Sequence, residues 1–319
     1  MRCLFALACL LMPVTAQAAE ADWKTALTQL QREDARLQSI GWKLASANAP
    51  FCADVQPAIG LLLSDVRNFS NPDPVRRSLE LSGDIAVEAA AESSPAQHAG
   101  LVAGAEVLSI DGAAMAGLPS VRAPDFTRLA GLHDALDSAL ASHGSVAIEI
   151  AAPDGRRVTH TIAAVPVCRS RFELVDASGH AGADGKVVRI GRGILAQNPD
   201  EAQAAALIAH ELAHNILRHR VRLAAVGRSN GAIRATEREA DRLSVWLLAN
   251  AAYDPEAAIR FMSSWGARRD PLSFGALDHD GWKTRRALMQ AELAKLRQSP
   301  IALPIEWRPQ FPIATPLAP

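Results

Sequence analysis

Two histidines four residues apart flank a glutamate in the run His210-Glu211-Leu212-Ala213-His214. On a helix, residues i and i+4 share a face about one turn apart, so both imidazoles can reach one tetrahedral cation. Neutral imidazole nitrogens suit zinc, which draws the pKa of a bound water down to about 7. Glu211, next to the first histidine, can take that water's proton. Leu207, Ile208, Leu212, Ile216 and Leu217 around the run are apolar, so the helix is expected to be buried. Two imidazoles and a carboxylate inside it need partners or a metal. The competing reading is a hydrogen-bonded polar cluster that holds no metal.

A third protein ligand has to come from elsewhere. The metzincin pattern would place a glycine and a third histidine further along the same helix, but those positions are Leu217 and Arg220, which excludes it. The next helical segment offers Glu237 and Asp241, four apart and on one face. Glu237 can complete a set of two histidines and one glutamate around one zinc ion per chain. Asp241 can accept a hydrogen bond from a ligand imidazole. Glu239 points roughly 200° away from Glu237 on an ideal helix and is expected to face solvent. His219, five past His214, falls off the ligand face and reads as a packed or capping histidine. Candidate donors to a developing oxyanion are His279 and Arg285, and Tyr253 reads as structural.

These residues need helices to hold them. Asn198-Pro199-Asp200-Glu201 reads as a helix start, with Asn198 as cap and Pro199 at the first helical position, and that helix runs to about Arg220. A second spans about Ala235 to Ala251. A third starts at Asp254-Pro255, and a fourth covers about Lys283 to Arg297. Phe172 to Val175 and Lys186 to Ile190 are strand candidates joined around Asp184-Gly185. Upstream, Trp23, Leu27, Leu30, Leu37, Ile40 and Leu44 give helical periodicity over Ala21 to Ala45, ended by Asn48-Ala49-Pro50. Ile59 to Leu63 reads as a strand and Asn71-Pro72-Asp73-Pro74 as a linker. Between Val75 and Val165 lie strand patterns at Ile85 to Ala89, Ser145 to Ile150 and Val158 to Val165, with one helix over Asp125 to Ala141. The Pro-rich end from Ser299 is expected to run extended over the surface, and Trp265, Trp282 and Trp307 read as packing residues.

With 319 residues, 49% apolar, 21% charged and a net charge of -1, the chain is ordinary globular material for two domains. That balance excludes a nucleic-acid surface, which needs a strong basic excess. Met1-Arg2, the apolar run Cys3 to Met12 and Ala16-Gln17-Ala18 read as a signal peptide over residues 1–18. Export to the periplasm, or secretion, follows, with no membrane span after cleavage. Cys52 and Cys168 then remain, and an oxidising compartment favours one disulfide between them over two buried thiols.

Two resemblances sharpen this reading. Ser94-Pro95-Ala96 through Ala99-Gly100-Leu101 to Val107-Leu108, Ile110-Asp111-Gly112 is similar to the central stretch of bacterial PDZ domains. It implies a module over residues 75–166 that binds a C-terminal peptide, with its carboxylate loop near Ser78 to Leu81. Asn198 to Glu201, His210 to His214, Glu237 with Asp241, and Ala252-Tyr253-Asp254-Pro255 resemble the HtpX/Oma-like gluzincin peptidase family. That resemblance implies ligands His210, His214 and Glu237, with Glu211 as base, and an edge strand at Val187 to Ile190 that aligns substrate backbone. The family's His-Pro pair with an arginine six residues on corresponds to His279 and Arg285, with Asp280 in place of the proline.

The expected architecture is α+β: a helical gluzincin metallopeptidase domain with a small edge-strand sheet and an inserted β-rich PDZ domain. Residues 19–74 carry the N-terminal helix, 167–298 the peptidase core and 299–319 the tail. The expected activity is zinc-dependent hydrolysis of peptide bonds in polypeptides of the cell envelope. The alternatives are a chaperone-like or scaffold protein with a latent site, and a structural metal site with His279 as fourth ligand.

Overall fold

The computed structural model describes residues 14–152, 154–198, 200–269, 280–299 and 304–312. Most of the signal segment and His279 lie outside them. Helix α1 (Val14–Asn48) runs further at both ends than its apolar stripe suggests. It serves two cores: Leu37, Ile40 and Leu44 enter the larger one, while Leu27 packs with Val66, Val75 and Leu81. Gly41 lets α1 lie against Phe172, since a Cβ there would sit 2.5 Å from that ring.

After Cys52 the chain leaves the larger core along β1 (Val55–Ala58) and returns along β8 (Val165–Cys168). The two strands pair antiparallel, with Val55 opposite Cys168. The Cys52–Cys168 disulfide closes the base of this ribbon, as the cysteine count predicts. Between the strands lies a β-rich body. In it β2 (Leu61–Asp65) pairs with β3 (Ile85–Ala90). A second sheet has the order β5 (Ala113–Ala114), β4 (Val107–Ile110), β6 (Ser145–Ala151), β7 (Arg157–Ala163). Helices α2 (Pro72–Ser78), α3 (Pro95–His98) and α4 (Thr127–His143) complete it.

Ile59 and Leu63 share this body's core with Ile85, Val87, Ile148 and Ile162, so the body begins upstream of Val75. Asn71-Pro72-Asp73-Pro74 is no linker. Pro72 opens α2, where its missing N–H and fixed φ cost nothing. Ser78 to Leu81 ends that helix, with Glu80 at φ 57° and Leu81 buried, and Ser82-Gly83-Asp84 separate it from β3.

The second half returns to the larger core. Here β11 (Val187–Gly191) lies between β9 (Arg171–Val175), to which it is parallel, and β10 (Ala181–Ala183), to which it is antiparallel. Val187 to Ile190 is therefore the central strand, not the edge. Asp184 turns the chain by accepting the Lys186 and Val187 amides, and Ala181-Gly182-Ala183 takes the outer position. That tripeptide has no β-branched or aromatic residue to mark it as a strand.

Helices α5 (Arg192–Gln197), α6 (Glu201–Ile216), α7 (His219–Val226), α8 (Asn230–Asn250) and α9 (Glu256–Phe261) follow. A π turn (Met262–Gly266), α10 (Ala267–Arg269) and α11 (Trp282–Leu296) come next. The cap of α6 is Asp200, whose carboxylate accepts the Ala202 and Gln203 amides. Asn198 instead closes α5, donating to the Ile194 carbonyl. Of the described residues near the C-terminus most are exposed, as expected, but Trp307 and Phe311 are buried anchors, and Trp307 Nε1 donates to Asn48 Oδ1 at 3.1 Å. Among the described residues, no helix is long and apolar enough to cross a membrane. The mixture of helix and small sheets agrees with the α+β class.

Candidate metal centre

Helices α6 and α8 pack side by side through buried residues that include Ala205, Ala209, Ala240 and Leu243. Facing positions on the two helices bring donor atoms of three residues together. His210 Nε2 and His214 Nε2 are 3.2 Å apart. Glu237 Oε2 lies 3.3 Å from the first and Glu237 Oε1 3.4 Å from the second. Ligands 2.0–2.1 Å from a tetrahedral zinc stand about 3.3–3.4 Å from one another. The donor set and its spacing therefore fit zinc. His210, His214 and Glu237 also form a group able to hold a metal ion among the described residues.

Asp241, one turn beyond Glu237, is fully buried. Its Oδ1 faces His210 Nδ1 at 3.1 Å. Arg285, on α11, forks onto it, with Nε and Nη2 donating at 2.7 and 2.6 Å. The Arg285 fork is thus committed to Asp241 rather than aimed at a substrate oxygen, and its Nη2 lies 3.7 Å from Glu237. Burial alone would raise the Asp241 carboxyl, but Arg285 outweighs it and holds the pKa below the usual range. Burial also opposes a charge on His210, yet Asp241 and Glu237 more than offset that and push its pKa up to about 10. His214 is driven the other way, by burial and then by the neighbouring His210 charge. Two carboxylates thus hold one positive charge where a divalent cation would sit.

The other ligand histidine has its own neighbours. His214 Nδ1 lies 2.9 Å from His219 Nδ1, and His219 Nε2 lies 3.0 Å from Glu239 Oε2. Arg222 donates to the same oxygen at 2.7 Å. Glu239 is half-buried in this cluster and does not simply face solvent. The cause is a break after α6. Arg218 adopts φ 53°, so α7 departs in a new direction and turns His219 back towards His214. Arg218 is not glycine, and nothing in the local sequence marks the break.

The donors line a cavity of about 1070 Å³ together with Glu211, which is buried on α6. Gly182 and Ala183 of the edge strand β10 line one side, and Phe261, Met262, Trp265 and Trp282 line another. Trp265 and Trp282 thus line the cleft while also packing, half-buried, against the larger core. Trp265 stacks on Phe261 at 5.3 Å between ring centres. Asp280, at the position of the family proline, takes two bonds from Arg238 and ties the start of α11 to α8. Tyr253 donates to Glu201 Oε1 at 3.0 Å, away from the cavity.

Residues 177–230 match the family model described as Peptidase family M48. The matched segment carries β10, β11, α5, α6 and α7, hence His210, Glu211 and His214, and ends seven positions before Glu237. It supports a metallopeptidase assignment for the segment that carries these three residues. No curated protein matches the chain.

Proposed function

We propose that the chain is a zinc-dependent endopeptidase acting on polypeptides. The observation that carries this reading is the group of His210, His214 and Glu237 donors at tetrahedral spacing, in a cleft that also holds Glu211. Zinc bound there supplies a Lewis acid and a water acidified to a pKa of about 7. Glu211 accepts the proton of the attacking water and returns it to the leaving amine. His210 is held in orientation by Asp241, and Asp241 in turn by Arg285. The strand β10 pairs with β11 on one side and lines the cleft, so an extended substrate can add to its outer edge by backbone hydrogen bonds. The aromatic wall of Phe261, Trp265 and Trp282 suits an apolar substrate side chain.

The β-rich body fits a PDZ-like module. Supporting this, among the described residues β2 pairs on one side only, with β3, and its other side faces α4, where the Leu63 amide donates to His133 Nε2 at 3.4 Å. The loop leading into β2 is Ile59-Gly60, which replaces Ser78 to Leu81 as the candidate carboxylate site. The apolar N-terminal run Cys3 to Met12 supports export, and export supports substrates in the cell envelope.

The test is Glu211→Gln. It is expected to keep one zinc per chain and to lose hydrolysis of unfolded casein by at least about 100-fold, the contribution of a general base. Casein cleavage at the wild-type rate refutes the mechanism. Stoichiometric casein binding without turnover by both proteins would favour the scaffold reading.

A further inference from the structure

His214 is held on its far side by a second imidazole, and the direction of that hydrogen bond follows from its neighbours. Glu239 Oε2 lies 3.0 Å from His219 Nε2 and also takes a bond from Arg222. A carboxylate oxygen only accepts, so the proton of this contact is on His219 Nε2. A neutral imidazole carries one proton, which leaves His219 Nδ1 with a lone pair. The 2.9 Å contact between the two Nδ1 atoms then takes its proton from His214. A neutral His214 with its proton on Nδ1 has its free lone pair on Nε2, the atom 3.4 Å from Glu237 Oε1.

We propose that His219 and Glu239 are positioning residues that fix the tautomer of His214, so that its Nε2 is always presented as a metal donor. The proposal rests on the metal-centre reading above. The reverse arrangement shows what is at stake. If His219 donated from Nδ1, His214 would accept there and carry its own proton on Nε2, where no metal could bind. The two ligand histidines are thus oriented by different means. His210 meets a carboxylate directly through Asp241, and His214 meets one through an intervening imidazole. Partners outside the ligands themselves commonly set affinity in this way. The arrangement depends on the Arg218 break, because on a continuous helix His219 would point off the His214 face.

Long-range proton–nitrogen NMR on the metal-free full chain reads the tautomers directly. The expected result is a proton on Nδ1 of His214 and on Nε2 of His219. Zinc affinity, measured by competition with a chromophoric chelator, is expected to fall about 10–100-fold in His219→Phe and in Glu239→Leu. His219→Gln offers an amide oxygen to His214 Nδ1 and is expected to recover most of that loss. A merely structural role would shift the unfolding midpoint but neither the tautomer nor the recovery by glutamine. Glu239 is partly exposed and touches no ligand, so Glu239→Leu decides the matter should His219→Phe fail to fold. A wild-type His214 with its proton on Nε2 overturns the proposal, and so does zinc affinity within about threefold of wild type in Glu239→Leu. A wild-type chain that binds no zinc sinks the metal-centre reading instead, while the tautomer remains measurable in the metal-free protein.

Discussion

The Asp241–Arg285 pair separates stability from metal binding. Asp241 is fully buried and receives two bonds from Arg285, at 2.6 and 2.7 Å. Bonds to charged groups are worth about 1.5–3 kcal/mol each, so Arg285→Met should cost about 3–5 kcal/mol, the range for stranding one charge of a buried pair. Asp241→Leu strands the arginine and should cost a similar amount. The double variant strands neither. Replacing a buried pair by apolar residues of similar volume is often neutral or stabilising, so the double variant should recover most of the loss of either single variant, short only of the partner that His210 loses. It still lacks the group that faces His210 Nδ1 at 3.1 Å. Its zinc affinity should therefore fall about 10–100-fold despite the recovered fold. Urea unfolding of the metal-free proteins at pH 7, with chelator competition for zinc, measures both quantities. A double variant as unstable as the singles, or one that binds zinc like wild type, refutes the reasoning.

Zinc binding must displace the proton that Asp241 and Glu237 hold on His210, whose pKa is pushed up to about 10. Apparent affinity should then rise about tenfold per pH unit between pH 6 and 9, with proton release visible by calorimetry in buffers of different ionisation enthalpy. Chelation should abolish hydrolysis, and stoichiometric zinc should restore it. Asp34 on α1 and Glu88 on β3 are buried carboxyls, and burial, followed by neighbouring acidic charge, pushes them up to about 7 and about 8. Folded-state values above the unfolded ones mean that the fold binds more protons, so stability falls as pH rises from about 4 to about 8. Glu88→Gln should flatten that slope and gain several kcal/mol at pH 8, as read by thermal unfolding across pH. The disulfide spans 116 residues, so Cys52→Ser with Cys168→Ser should cost about 4–5 kcal/mol by loop entropy while leaving zinc stoichiometry unchanged, as measured by denaturant unfolding and metal analysis.

The chemistry of the centre was legible in the sequence because helical geometry is local. A spacing of four fixes two imidazoles on one face whatever the surroundings, and the same rule pairs Glu237 with Asp241. The cysteine pair was equally plain from its count. Local punctuation was less secure. Asn198 and Asp200 are both good caps, and only the closing of α5 onto Asn198 decides between them. Asn71-Pro72-Asp73-Pro74 serves a linker or a helix start equally well until α2 has something to pack against.

Other features exist only in the folded chain. The edge of the sheet depends on which strand has a neighbour, and the featureless Ala181-Gly182-Ala183 acquires its place from the Asp184 turn. The His214–His219–Glu239 relay needs a left-handed break at a residue that does not advertise one. Arg285 and Asp241 lie 44 positions apart and meet only when α11 closes on α8. Residue types and short spacings determined which atoms could bind a cation. The packing of α6, α8 and α11 decided how those atoms are aimed, because orientation is set by partners distant in sequence.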